Sequence, residues 1–123
     1  MFGADLPESQ AALELFADLS NVGSQVAVAI AVTVFAPLFE ELVFRGYIYR
    51  NLRDKWGPGL ALLVSSLLFG AAHMDLQNLL PLTTIGFCLG LVYEKSGSLL
   101  ISVIVHGLWN GFTVMRILSL MGD

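Results

Sequence analysis

The stretch VAVAIAVTVFAPLFEELVFRGYIY, Val26 to Tyr49, decides the fold. It is apolar and long enough to cross a bilayer as a helix, since about 20 residues rising ~1.5 Å each span the hydrocarbon core. Three ionisable side chains, Glu40, Glu41 and Arg45, interrupt it. Each costs roughly 3 kcal/mol near mid-membrane, so the trio carries a penalty on the order of 9 kcal/mol before any pairing. Charged groups at such a cost are expected to face the inside of a helical bundle and to serve a function there. Pro37 precedes them by about one turn. It has no N–H to donate and collides with the turn before it, so a kink that frees a backbone carbonyl is expected just ahead of Glu40 and Glu41.

The rest of the chain has the same character. Its 123 residues are 56% hydrophobic and 13% charged, with a mean hydropathy of +0.77. A chain of that composition has lipid as its natural solvent. There is room for one domain of about four spanning helices. The first runs from near Gln25 to about Arg53 and ends in the basic cluster Arg50, Arg53 and Lys55, before the breaker Gly57-Pro58-Gly59. The second runs from Pro58 to about His73, the third from Leu79 to Tyr93, and the fourth from Ser98 to about Leu120. Gly86 and Gly90, and again Gly107 and Gly111, stand four apart, the small-residue spacing of close helix contacts. The fold class read from the sequence is therefore all-α, a polytopic transmembrane helical bundle. Residues 1–24 form a polar or interfacial N-terminal segment, with Leu13, Phe16 and Leu19 near one face if helical. Residues 25–120 form the intramembrane core.

Charge and cysteine content exclude several classes. The net charge of −4 resides largely in Asp5, Glu8, Glu14 and Asp18, so no basic face for nucleic acid exists. Cys88, the only cysteine, forms no internal disulfide and no thiolate metal site. The start lacks the basic region of a secretory signal. Positive charge places the Arg50–Lys55 loop and the Lys95 loop on one, cytoplasmic, side.

Measured from that side at ~1.5 Å per residue, Glu40 lies roughly 20 Å deep, His73 roughly 22 Å, His106 roughly 12 Å and Asn110 roughly 18 Å. Long side chains can close those differences, so the four groups can converge. His106 and Asn110 share a helix face at i and i+4, whereas Glu40 and Glu41 point about 100° apart and are expected to have different tasks. Glu41 and Arg45 stand in the favourable order for an intrahelical ion pair. That leaves Glu40 as a base.

These residues also carry a family resemblance. EELVFR over Glu40–Arg45, FGAAH over Phe69–His73 and HGLWN over His106–Asn110 resemble the three motifs EExxxR, FxxxH and HxxxN/D of the CAAX protease and bacteriocin-processing (Abi) family of intramembrane proteases. Each string is weak alone, but three in order on apolar helices are specific. The resemblance covers about Ala31 to Thr113, and members of that family carry further membrane helices before this core. It implies an intramembrane endopeptidase acting on a membrane-associated peptide, by CAAX-type C-terminal processing or by processing of a bacteriocin leader.

Glu40 with His73 then makes a general-base pair for an activated water. His106 and Asn110 donate to the oxyanion, which the resemblance also implies, and Glu41 with Arg45 supports Glu40. Phe69 is read as packing that sets the rotation of the helix presenting His73. No cofactor is favoured; the alternative is a catalytic zinc ion held by Glu40, His73 and His106 with an open fourth position, and the sequence has no HExxH. The expected partners are a membrane peptide or protein substrate and the bilayer, and the expected location is a prokaryotic or organellar membrane crossed several times. The competing class is a non-enzymatic membrane protein, either a scaffold or immunity subunit or a small carrier whose Glu40 and His73 relay protons.

Overall fold

The computed structural model describes residues 18–19 and 21–122. Most of the polar N-terminal segment, including Leu13 and Phe16, lies outside the described residues. Among those described, the chain forms four helices and no strand: α1 (Val22–Trp56), α2 (Pro58–Ala72), α3 (Leu79–Ser96) and α4 (Leu99–Met121).

Local chemistry sets the helix ends. Asn21 caps α1 by accepting from Ser24 N–H at 2.8 Å, and Gly57, at φ +80°, ends it. Pro58 then opens α2 at a position where its missing N–H costs nothing. Met74, left-handed at φ +55°, turns the chain out of α2 directly after His73. Asp75 builds the following turn by accepting from the backbone N–H groups of Gln77 and Asn78 and from the Asn78 amide. The Asn78 side chain, and after it these backbone donors, hold the Asp75 carboxyl below the usual carboxylate range. The third helix runs three residues past the expected Tyr93, because the stop is Gly97, whose φ of +65° lets the chain leave in a left-handed turn.

Around Pro37 the hydrogen-bond register of α1 departs from that of an α-helix. Two stretches of α1, Ala31–Phe35 and Leu42–Tyr49, are wound as π-helix. In the first of them Ala36 N–H reaches the Ala31 carbonyl five residues back. In that register Pro37 would have to donate to Val32, which it cannot do. The carbonyl left bare is thus Val32, one residue further upstream than ordinary α-helix counting gives, and the Asn110 amide on α4 fills it at 2.9 Å.

Packing is inside-out relative to a water-soluble protein. The largest fully buried side chains include Arg45, Tyr49, Phe69, Glu41 and Ser102, while Phe35, Phe39, Leu108, Phe112 and Met115 face outward. α1 and α4 are long and apolar enough to cross a membrane, and α2 is a shorter apolar helix. This is the surface of an all-α membrane bundle. At one end Tyr49 donates to Glu94 at 2.6 Å and Arg53 grips the same carboxylate at 2.9 and 3.0 Å, tying the ends of α1 and α3 together.

The glycines allow the close approach their spacing suggests. A Cβ on Gly86 would stand 2.8 Å from the Phe69 ring, and one on Gly90 2.8 Å from Leu62. On α4 a Cβ at Gly107 would stand 2.6 Å from the Thr33 carbonyl oxygen, whereas Gly111 has ordinary contact distances. Backbone cannot swing aside as a side chain can. Gly107→Ala is therefore expected to push α4 off α1 and to cost about 1–3 kcal/mol, read as a lower unfolding midpoint in detergent. Gly111→Ala is the control that leaves it nearly unchanged.

Candidate active site

Glu41 is the centre of the buried polar cluster. It is fully enclosed, and each of its oxygens has a donor: Arg45 Nη1 at 3.0 Å and His106 Nδ1 at 2.8 Å on Oε1, Ser102 Oγ on Oε2. The expected Glu41–Arg45 ion pair is present at i and i+4. Arg45 spends a second N–H on the Gly86 carbonyl of α3 and lays its guanidinium over the Phe69 ring, 4.9 Å from the centroid. A carboxylate placed in this way has no access to substrate. Its work is to hold other groups in place.

Glu40, the neighbouring carboxylate, is in a different position. Its Oε2 lies 3.3 Å from His106 Nε2, and its side chain keeps 27% exposure against 0% for Glu41. The two glutamates, although about 100° apart on the helix, grip the same imidazole from its two nitrogens. An ionised carboxylate only accepts, so a proton on His106 Nδ1 is donated to Glu41 at 2.8 Å and a proton on Nε2 to Glu40 at 3.3 Å. The arrangement matches the base-orienting logic of a catalytic triad, with Glu41 in the orienting position. Glu41 thus supports His106 directly, where the sequence suggested support of Glu40. The reason is that α4 packs against this part of α1, closer to Glu41 than side-chain direction on one helix alone can show.

The second histidine is held differently. His73, half-buried at the end of α2, bonds through Nδ1 to the Phe69 carbonyl at 2.8 Å, which fixes Nδ1 as the donor and leaves the Nε2 lone pair free. Phe69 packs against both imidazoles, with ring centroids 4.9 Å from His73 and 5.8 Å from His106, and edge-on to Phe44 at 5.2 Å. Its role is the packing expected for it: one ring sets the attitude of both histidines and of Arg45.

Asn110 is half-buried one turn beyond His106, and its amide donates to the freed Val32 carbonyl. One N–H of the amide is therefore used in holding α1 to α4, and the second N–H and the carbonyl oxygen remain. Ser102 was not singled out in the sequence. It stands four residues before His106, as Asn110 stands four after, so the three make one polar stripe along α4 facing α1.

For a zinc ion the fit is poor. Both nitrogens of His106 are engaged by carboxylates and Nδ1 of His73 by a carbonyl. Among the described residues no three His, Cys, Asp or Glu side chains gather as a metal would require, so Glu40, His73 and His106 do not form such a group.

Comparison with known proteins adds an independent line. The family model of type II CAAX prenyl endopeptidases, Rce1-like, matches residues 22–112. A 24.3 kDa protein of Escherichia coli, named as uncharacterized, is 37% identical over 82% of this chain and 48% of its own length. The membrane-embedded CAAX protease MroQ of Staphylococcus aureus is 33% identical over 68% of this chain and 36% of its own. A UPF0177 protein of Lactococcus lactis, YxdF, is 38% identical over 64% and 44%. The chain spans between about a third and a half of the length of these relatives. No solved structure matches it.

Proposed function

The chain belongs to the Rce1-like family of type II CAAX prenyl endopeptidases, and from that premise we propose that it carries the hydrolytic centre of an intramembrane endopeptidase acting on a membrane-associated peptide. The observation that carries the reading is the asymmetry of the two glutamates. Glu41 is sealed and fully bonded, whereas Glu40 keeps an exposed edge and shares His106 with it. A structural ion-pair network has no need of a second, partly open carboxylate on the far nitrogen of the same ring.

In the proposed mechanism Glu40 takes a proton from a water molecule as its oxygen attacks the scissile carbonyl carbon. His73, through its free Nε2, orients that water. The C–N bond then breaks as the proton held at Glu40 and His106 passes to the leaving amine, giving a carboxylic acid and an amine. Glu41 stabilises the imidazolium whenever His106 takes the proton. The second N–H of Asn110 is the donor for the oxyanion of the tetrahedral intermediate, with His106 beside it. The half-open side of Glu40 and His73 is where substrate enters. Both basic loops lie at the cytoplasmic end, and the chain crosses a prokaryotic or organellar membrane several times.

The test is to incubate the purified protein, in bilayer nanodiscs, with a library of prenylated C-terminal peptides and apolar leader peptides. Mass spectrometry should find a discrete cut in one class. No cleavage of any member would favour the non-enzymatic scaffold or carrier. The same assay tests the catalytic type. With a glutamate-activated water, prolonged treatment with a strong chelator should leave the rate nearly unchanged. Loss of activity restored by added Zn²⁺, with about one zinc per chain, would overturn the metal-free form.

A further inference from the structure

The turn between α2 and α3, Met74 to Asn78, carries apolar side chains where a loop in water would carry polar ones. Met74 is 92% exposed and Leu76 89%, and Leu80 in the first turn of α3 adds a third at 77%. Met74 also takes up the left-handed conformation at φ +55°, a position that glycine or asparagine fills with less strain. With so little protein contact, nothing within the fold calls for methionine there. The polar groups of the same turn face the other way. Asp75 is half-buried and accepts from the Gln77 and Asn78 backbone and from the Asn78 amide, and Asn78 itself is buried.

The height of the turn follows from the site. Phe69 on α2 packs against His106 on α4, so these two residues mark one level. From there α2 rises only to Met74, about 8 Å further, whereas α4 continues to Met121, about 22 Å further in the same direction. The last turns of α4 pack instead on the start of α1, where Val114 and Ile117 meet Val28, Ala29 and Val32. At 23 residues, about 34 Å, α4 matches a hydrocarbon layer of about 30 Å. The α2–α3 turn therefore stops roughly 14 Å short of the far end of α4.

We propose that this turn is a lipid-seated tip: Met74, Leu76 and Leu80 lie among acyl chains of the far leaflet, which thins to meet the short α2, while Asp75 and Asn78 keep the polar groups of the turn on the protein side. Acyl chains are the occupant because the tip continues the lipid face of the bundle. Leu80 and Phe87 share one outward face of α3, and Leu67 and Leu68 face outward on α2. His73 is joined directly to Met74, so the seat of the tip sets the height of that histidine in the bilayer. The seat is independent of whether the site hydrolyses a peptide.

Spin-label depth measurements on the full chain, in nanodiscs of palmitoyl-oleoyl phosphatidylcholine and phosphatidylglycerol, test it. With Cys88→Ser as background, single labels are placed by Met74→Cys, Leu76→Cys and Leu80→Cys, with Phe112→Cys as the lipid reference and Lys55→Cys as the water reference. Side chains this exposed carry little packing, so the replacements leave the bundle folded. Each label is scored by its collisions with oxygen, which partitions into acyl chains, and with a water-soluble nickel chelate. All three tip labels should collide mainly with oxygen, as at Phe112, with a ratio of oxygen to nickel collisions well above that at Lys55. Collision mainly with the nickel chelate at Met74 and Leu76 would place the turn in water and overturn the proposal. Labels immobilised and shielded from both reagents would overturn it as well, because protein rather than lipid would then cover the tip.

Discussion

Glu40→Gln is expected to lower turnover by about 100- to 10,000-fold, the range that a positioned general base contributes, while the bundle unfolds at nearly the wild-type temperature. The amide keeps the shape of the side chain and can still meet His106 Nε2 across the 3.3 Å contact, but it cannot take a proton from water. Glu41→Gln should behave differently, although it is the same chemical change one residue away. There the amide replaces a sealed carboxylate whose oxygens serve Arg45, His106 and Ser102, so stability and activity should fall together. Initial rates on a cleaved peptide, beside thermal unfolding of the same preparations, separate the two. Equal losses of stability in both variants would mean that Glu40 is as structural as its neighbour.

Arg45→Ala should have the largest effect on stability of any single truncation in the bundle. The arginine compensates the Glu41 charge, satisfies the Gly86 carbonyl and covers one face of Phe69, and it is almost completely buried. Removing one partner of a buried ion pair strands the other, at about 3–5 kcal/mol. Because Phe69 contacts both histidines, displacement of its ring should also disorder His73 and His106. The expected result is a marked fall in the unfolding midpoint in detergent, with activity lost as well. Arg45→Lys should recover only part of it, since an ammonium cannot reproduce the planar fork that bonds Glu41 and Gly86 at once. Wild-type stability in Arg45→Ala would contradict the pairing seen in the structure.

Much of this was legible in the sequence because the membrane makes polar groups conspicuous. In a stretch where each charge costs kilocalories, Glu40, Glu41 and Arg45 can hardly be read as surface decoration, and i, i+4 spacing pairs Glu41 with Arg45 directly. The breakers Gly57 and Pro58 likewise delimit the first two helices with little ambiguity. What the sequence obscured lies between helices. The π-wound register of Ala31–Phe35 shifts the bared carbonyl to Val32, and nothing in VAIAVTVFAP announces that register; the tertiary partner Asn110 reveals it. The destination of Glu41 was hidden for the same reason, since helical phase tells which way a side chain leaves its own helix but not how near α4 comes. Ser102 could have been found. A serine four residues before His106, on the face it shares with Asn110, is a polar stripe on an otherwise apolar helix, but serine is so common in membrane helices that one hydroxyl draws little notice.

The central claim is that Glu40 activates a water molecule that attacks the peptide bond directly, and a single turnover in ¹⁸O-labelled water tests it. With enzyme in excess over a cleaved peptide, direct attack places one ¹⁸O in the new C-terminal carboxylate at the first turnover and leaves the Glu40 side chain unlabelled. That is the predicted result. If the first product instead carries only ¹⁶O while ¹⁸O appears in the Glu40 carboxylate of the recovered protein, the glutamate itself is the nucleophile and the water-activation account is wrong.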